Sequence, residues 1–319
     1  MSDEVLVIAE HAGAKLTDST FELVGKAKEL ASQMGGQTVV GLIGAPDLAP
    51  QLGGSDLVVT IDGPGLDRYT AEGWEKSLAP LITARAPKVV LMATTTQGLD
   101  LAGALSATCG CPLASYVVDV ALDGDAVVAT AQIYGGKIMA EVALEGSTVI
   151  CGVTAGSFPV EAGKGEGTPA VEVGPSPDLA DPKSAFVGMN EPEAGDVDIT
   201  AADILVAVGR GVGSEDDVEM AQDLADAIGA PLAASRPVTD AGWLPKSRQV
   251  GKSGVKVKPR AYLMFGISGA PEHLEGMRDA ELIIACNTDE KAPIFDVAHY
   301  GSTLDLFDLL PALSEQLDQ

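Results

Sequence analysis

Aromatic residues are scarce in this chain: Phe, Trp and Tyr together make up 4% of its 319 residues. A core built without them must be filled by Val, Leu, Ile and Ala, which suits α/β layers with buried parallel strands. Basic residues are scarce too, with 20 Lys and Arg against 46 Asp and Glu, a formal net charge of −26. Nucleic acid and anionic membrane surfaces are not expected as partners, because both need a basic footprint. The acidity itself fits plain solubility, a functional acidic face or a salt-adapted cytoplasm. No apolar run approaches the roughly 18 residues that a membrane span needs, so no membrane insertion is expected. The opening Met1-Ser2-Asp3-Glu4 lacks the basic stretch that starts a secretory signal, which predicts a cytoplasmic protein. There are four cysteines, and Cys109-Gly110-Cys111 is too tight for the C-x-x-C spacing of metal and redox sites. The three histidines, His11, His273 and His299, are scattered, so a zinc or iron–sulfur centre is not expected.

What is present is ordinary for a folded protein: 46% hydrophobic and 21% charged residues. The length suggests two domains. Short apolar runs at Val5–Ala9, Thr38–Ile43, Leu57–Thr60 and Val89–Ala93 read as buried strands. Helical patterns separate them, with Leu23, Ala27, Leu30 and Ala31 on one face behind Thr20 as cap, then Thr70–Ala84 and Gly98–Thr108. Strands alternating with helices imply a mostly parallel sheet covered on both faces. After Pro112 the pattern becomes strand upon strand, at Val117–Val120, Ala126–Thr130, Lys137–Val142 and Ser147–Val153, which predicts an added β layer. Residues 1–160 thus form a first domain, and the Gly-, Pro- and acid-rich stretch 161–198 reads as a linker. Residues 199–319 form a second α/β domain, with strands at Ile204–Val208, Pro231–Ala234, Ala261–Gly266 and Leu282–Cys286. In it, Ser214 caps a helix that Gly229 ends, and Asp305–Leu317 is the last helix.

The residues that carry chemistry lie in the loops of the second domain. Gly209-x-Gly211-x-Gly213 follows a strand and precedes a helix, a pattern that fits a phosphate site and a plain βα turn equally well. A nicotinamide site wants an acidic residue at the end of the next strand, yet Ala233-Ala234-Ser235-Arg236 ends in a cation. Arg236 suits either a 2′-phosphate or an electron-rich flavin ring. Downstream come Gln249-Val250-Gly251-Lys252-Ser253-Gly254 and Gly266-Ile267-Ser268-Gly269-Ala270, with His273 one helical turn later. Their N–H groups and hydroxyls suit a long phosphate-bearing cofactor. Nothing resembles a nucleophile–base pair, paired catalytic carboxylates or a metal cluster.

These blocks, in this order, resemble the FAD-binding domain of the alpha subunit of electron transfer flavoproteins. Ser235-Arg236-Pro237 through Trp243-Leu244-Pro245, the Gln249–Gly254 block, and Ala292-Pro293-Ile294-Phe295 match its pattern. Val5–His11, Gly98–Ala102, Tyr134–Lys137 and Gly156–Phe158 extend a looser resemblance over nearly the whole chain. The resemblance implies a dinucleotide-binding-like FAD domain. It places Arg236 over the isoalloxazine, where a guanidinium favours the negative charge of one-electron reduction, and the Ser253 hydroxyl at flavin N5. It places His273 near the C2 carbonyl, Ser268 and the glycine loop along the pyrophosphate or ribityl chain, Asn287 on the adenine or ribose side and Asp305 near the adenosine ribose.

The chain departs from the family pattern at four places: Lys252 for Gln, Pro271-Glu272 for Ile-Gln, Thr288 for Lys and His299 for Asp. Lys252 can raise the flavin potential, contact phosphate or point to solvent, and Glu272 can oppose Lys252 or tune His273. The resemblance also implies a beta-subunit partner docked on the first domain, and electron relay from an acyl-CoA-type or other flavin dehydrogenase to a quinone-linked or other acceptor. Bifurcation would need a second flavin and a nicotinamide site, which the family places on the beta subunit. The other readings are a stand-alone NAD(P)-dependent enzyme using the Gly209 loop, and a cofactor-free binding protein of the same fold.

Overall fold

The alternation of apolar residues along the strands sorts the chain into layers. A computed structural model describes residues 3–134, 136–188 and 197–317, and they divide into two units at Gly188. In the first unit, β1 (Val5–Ile8) sends Val5 and Val7 to one core and Leu6 and Ile8 to another. A hairpin of β2 (His11–Ala12) and β3 (Lys15–Leu16) follows, then α1 (Asp18–Met34), β4 (Thr38–Ile43), β5 (Leu57–Ile61), α2 (Ala71–Arg85), β6 (Val89–Ala93) and α3 (Thr96–Cys109). Leu23, Val24, Ala27 and Leu30 of α1 fill the first core, while Trp74, Leu78 and Ile82 of α2 and Leu101 and Leu105 of α3 fill the second. A period-2 strand between two period-3.6 faces is the physical content of a three-layer fold.

Three expectations for this unit change. Helix α1 is capped by Thr17, whose hydroxyl accepts from Thr20 N; Thr20 is buried inside the first turn and donates to Glu10 O. The added β layer is no separate layer. β10 (Val149–Val153) lies parallel between β6 and β7 (Leu113–Asp123), and β8 (Ala126–Ile133) and β9 (Ile138–Leu144) continue the same sheet antiparallel beyond β7. Antiparallel strands can leave one face to water, and β8 alternates buried and half-exposed accordingly. Within the stretch read as a linker, β11 (Ala170–Val173) pairs parallel with β5, so the sheet order is β11-β5-β4-β1-β6-β10-β7-β8-β9. All four β11 residues are exposed; backbone pairing to a sheet edge holds the strand. Residues 189–196 of that stretch, and Gly135 of the Tyr134–Lys137 turn, lie outside the described residues.

The second unit is a doubly wound parallel sheet. Its elements are β12 (Ile204–Val208), α4 (Val218–Ala227), β13 (Leu232–Ala234), α5 (Arg236–Asp240), β14 (Ala261–Phe265), α6 (Pro271–Met277), β15 (Leu282–Cys286), β16 (Tyr300–Ser302) and α7 (Leu306–Leu317). The strand order is β13-β12-β14-β15-β16, so the chain reverses direction of winding between β12 and β14. Leu205, Ala207, Tyr262 and Met264 point to the core under α6; Val206, Val208 and Phe265 point to the one under α4 and α7. Ser214 does not open α4. Its hydroxyl accepts from Asp217 N and bonds the Asp217 carboxylate at 2.6 Å, closing a turn ahead of a helix that begins at Val218.

Candidate functional site

In open α/β sheets ligands bind outside the carboxyl ends of the strands where the order reverses. Here the loops after β12, β13 and β14 converge at that place around a cleft of about 540 Å³. Most of the expected site residues line it: Gly211 after β12, Arg236 after β13, Gln249 through Ser253 opposite, and Gly266, Ile267, Ser268 and His273 after β14. Three expected residues do not reach its wall. Gly269 packs against the Ile294 backbone. Asn287 spends its amide on Ile267 O at 2.9 Å and Asp289 N at 2.9 Å, tying β15 to the loop after β14. Asp305 accepts from Phe307 N at 3.1 Å at the start of α7. The cleft adds Arg210, which sequence reasoning missed, and takes in Ser235 and Glu272, which the sequence reading named without making them cofactor contacts. The signal for Arg210 was its place between two glycines just after a strand.

The glycines after β12 serve the fold. A Cβ on Gly209 would stand 2.2 Å from Gly266 O, and one on Gly211 would stand 2.7 Å from Gly266 Cα. The N–H groups of Gly209, Gly211, Val212 and Gly213 all donate to backbone carbonyls of Phe265, Gly266, Gly209 and Arg210. This loop therefore has no row of open donors for a phosphate. The loop after β14 does. Among the described residues, the N–H groups of Ile267, Ser268 and Gly269 have no partner, nor does that of Ser253 across the cleft.

The Gln249–Gly254 block is held as a tight turn. Val250 N donates to Ala234 O, Gly251 N to Val255 O and Lys252 N to Glu272 O at 2.7 Å. Gly251 sits at φ +140°, where a Cβ would press on Glu272 O at 2.8 Å, so only glycine fits. The hydroxyl of Ser253 meets Gln249 Nε2 at 3.1 Å, and Gln249 Oε1 meets the Thr239 hydroxyl at 2.8 Å. Arg236 is exposed and pairs with Asp240 at 3.1 Å along α5. Lys252 lies 3.9 Å from the Glu275 carboxylate. His299 is structural, its Nδ1 accepting from Ile283 N at 2.9 Å.

His273 is buried, with Nδ1 3.1 Å from Val250 O and Nε2 3.3 Å from the Tyr262 hydroxyl. A carbonyl can only accept, so Nδ1 carries the hydrogen and Nε2 accepts from Tyr262. Burial pulls the imidazole down to about 4, against the smaller upward pull of the Val250 carbonyl, so the ring is neutral at neutral pH. The imidazole has no hydrogen left for a flavin carbonyl while these two bonds stand.

The donor set fits a flavin dinucleotide. Arg210, Arg236 and Lys252 line the cleft beside one lining carboxylate, Glu272, with Asp240 and Glu275 flanking Arg236 and Lys252 from outside it. Open N–H groups and the Ser268 hydroxyl suit a diphosphate, while Val250, Ile267 and Pro237 give apolar wall for a flat ring. Among the described residues no group of side chains could hold a metal ion, and no helix is long and apolar enough to cross a membrane.

Comparison with known proteins agrees with this geometry. Residues 5–179 match the electron transfer flavoprotein domain, and residues 198–278 match the electron transfer flavoprotein FAD-binding domain. The second match spans the cleft through His273 and ends before Asn287 and Asp305. The electron transfer flavoprotein subunit alpha of Methylophilus methylotrophus is 38% identical over 98% of this chain and 99% of its own length. That of Mycobacterium tuberculosis is 36% identical over 98% of both, and that of Pseudomonas aeruginosa 35% over 98% and 99%. With both of its units matched and its relatives covered end to end, the chain belongs to the electron transfer flavoprotein alpha-subunit family.

Proposed function

We infer that this chain is the FAD-holding subunit of a two-subunit electron carrier, with the isoalloxazine in the cleft between Arg236, Ser253 and the loop after β14. The observation that carries the reading is the convergence of open N–H donors, hydroxyls and three cations at the sheet's reversal point in an acidic chain. The reading of a stand-alone NAD(P)-dependent enzyme loses its main support, because the N–H groups of Gly209, Gly211, Val212 and Gly213 are spent within the fold. Bound FAD supplies reversible uptake of one or two electrons. The chain's own part is to hold and bias it: Arg236 brings positive charge to the ring, Ser253 a hydroxyl, and the loop after β14 its N–H groups. His273 is a neutral buried spacer that ties Val250, at the cleft wall, to Tyr262 in the core beneath.

The first unit carries the partner. Its last antiparallel strand, β9, exposes Ile138, Met139 and Val142, and Tyr134 stands out beside it. An exposed apolar edge strand invites cover, and a beta subunit is the occupant that the family supplies. Electrons enter from a flavin dehydrogenase, of the acyl-CoA type or another, and leave to a quinone-linked or other acceptor. The four cysteines are free thiols, in keeping with a reducing cytoplasm. The site is tested by Arg236→Ala in the FAD-loaded complex. Removing the guanidinium should lower the flavin midpoint potential in a spectroelectrochemical titration; an unchanged potential would put Arg236 away from the ring.

A further inference from the structure

Gln249 is almost wholly buried, with 2% of its surface exposed, yet its amide stands between two hydroxyls at the edge of the cleft. Thr239 Oγ1 lies 2.8 Å from Gln249 Oε1 and 3.0 Å from Arg236 O. Gln249 Nε2 lies 3.1 Å from Ser253 Oγ. A hydroxyl has one hydrogen, so Thr239 serves one of its two acceptors at a time. In one arrangement Thr239 donates to the amide oxygen and the amide nitrogen donates to Ser253 Oγ. The Ser253 hydrogen is then left to point into the cleft. Half a turn of the amide reverses every contact without changing its volume. Ser253 then donates to Oε1, Nε2 donates to Thr239 Oγ1, and Thr239 gives its hydrogen to Arg236 O. Gln249 Oε1, Gln249 Nε2, Thr239 Oγ1 and Ser253 Oγ keep a partner in both arrangements, so the buried amide carries no unmade bond to its neighbours in either, while Arg236 O receives the Thr239 hydrogen only in the second.

We propose that Thr239 and Gln249 form a reversible relay that sets whether Ser253 offers the bound cofactor a hydrogen or a lone pair. This rests on the reading that Ser253 faces flavin N5. That atom accepts a hydrogen bond when the ring is oxidised and bears a hydrogen when it is reduced and protonated. A fixed donor would serve only the first state and a fixed acceptor only the second. The relay serves both, and no proton leaves it. Gln249 is accordingly a positioning residue, and its burial behind Ser253 is what makes the reversal a choice between two arrangements. Water does not compete for the amide there.

The test uses the FAD-loaded complex with its partner subunit. Ser253→Ala, Gln249→Met and Thr239→Val are compared by midpoint potential, singly and with Ser253→Ala combined with each of the others. Gln249→Met and Thr239→Val should shift the potential in the same direction as Ser253→Ala, by at least half as much. In the Ser253→Ala background they should add nothing, because the relay then has no end to act on. A redox-induced infrared difference spectrum of protein with isotope-labelled glutamine should show an amide band that Gln249→Met removes. If Ser253→Ala shifts the potential while Gln249→Met and Thr239→Val do not, or if the shifts add, the relay is wrong and the placement of Ser253 stands. If Ser253→Ala shifts nothing at full FAD content, Ser253 does not face the ring and the relay falls with it. Should Gln249→Met not fold, Thr239→Val and the labelled wild-type spectrum decide: no shift and no glutamine band would overturn the proposal.

Discussion

Lowering the pH should loosen the second unit through one residue, His273. Its imidazole is buried and held at about 4, against an ordinary value of 6.5, because burial disfavours the charged form. The folded state therefore refuses a proton that the unfolded state accepts. The stability tied to this group is complete above pH 6.5 and is lost progressively as the pH falls from 6.5 to 4. Each pH unit in that window costs about 1.4 kcal/mol, so the whole window is worth roughly 3 kcal/mol and the step from pH 7 to pH 5 about 2 kcal/mol. Urea unfolding of the intact protein at several pH values, wild type beside His273→Gln, isolates the effect. The variant pays a constant cost for the changed contacts with Val250 and Tyr262, but it cannot titrate. On going from pH 7 to pH 5, wild type should lose about 2 kcal/mol more than the variant. Parallel pH profiles would refute the reasoning, as would a His273 resonance that titrates near 6.5 in a nuclear magnetic resonance experiment.

Ser253→Ala should keep its FAD, since the backbone donors remain, and should shift a one-electron potential of the flavin by about 20–65 mV, the equivalent of one ordinary hydrogen bond of about 0.5–1.5 kcal/mol; loss of FAD with an unaltered potential in the residual loaded fraction would make Ser253 a loop-shaping residue. Gly211→Ala should cost about 1–3 kcal/mol in thermal or urea unfolding, because its Cβ would drive the loop after β12 into Gly266; an unchanged stability would show that the two loops part freely. The chain expressed alone should be poorly stable or FAD-poor next to the chain expressed with its beta subunit, and sedimentation analysis that finds a well-folded, FAD-saturated monomer would contradict the docking role given to the first unit.

The strands were legible because their chemistry is redundant. Val5–Ile8, Thr38–Ile43 and Val89–Ala93 are apolar on both faces, and a parallel strand between two helical layers permits little else. The loop after β14 was legible too, since Gly266-Ile267-Ser268-Gly269 sits where strand gives way to helix. The edge strand β11 was not. It buries no side chain, so its sequence carries no periodic signal, and only its pairing with β5 defines it. The helix cap fell on Thr17 instead of Thr20 because a threonine that caps and one that plugs into Glu10 O look alike in sequence. The Gly209-x-Gly211-x-Gly213 pattern held both of its meanings until the approach of Gly266 chose between them. Gln249 is the same kind of case: a glutamine in a glycine-rich block reads as a ligand contact, and its burial between Thr239 and Ser253 is a tertiary fact.

The central claim is that the cleft at Arg236 and Ser253 holds a flavin. It is tested most directly by purifying the chain together with the beta subunit, releasing any cofactor with acid and measuring how much FAD comes away per chain. One FAD for each copy, lost in a Gly251→Leu variant that blocks the turn beside Ser253, is the predicted result. A colourless complex, or an FAD content untouched by that substitution, would contradict it.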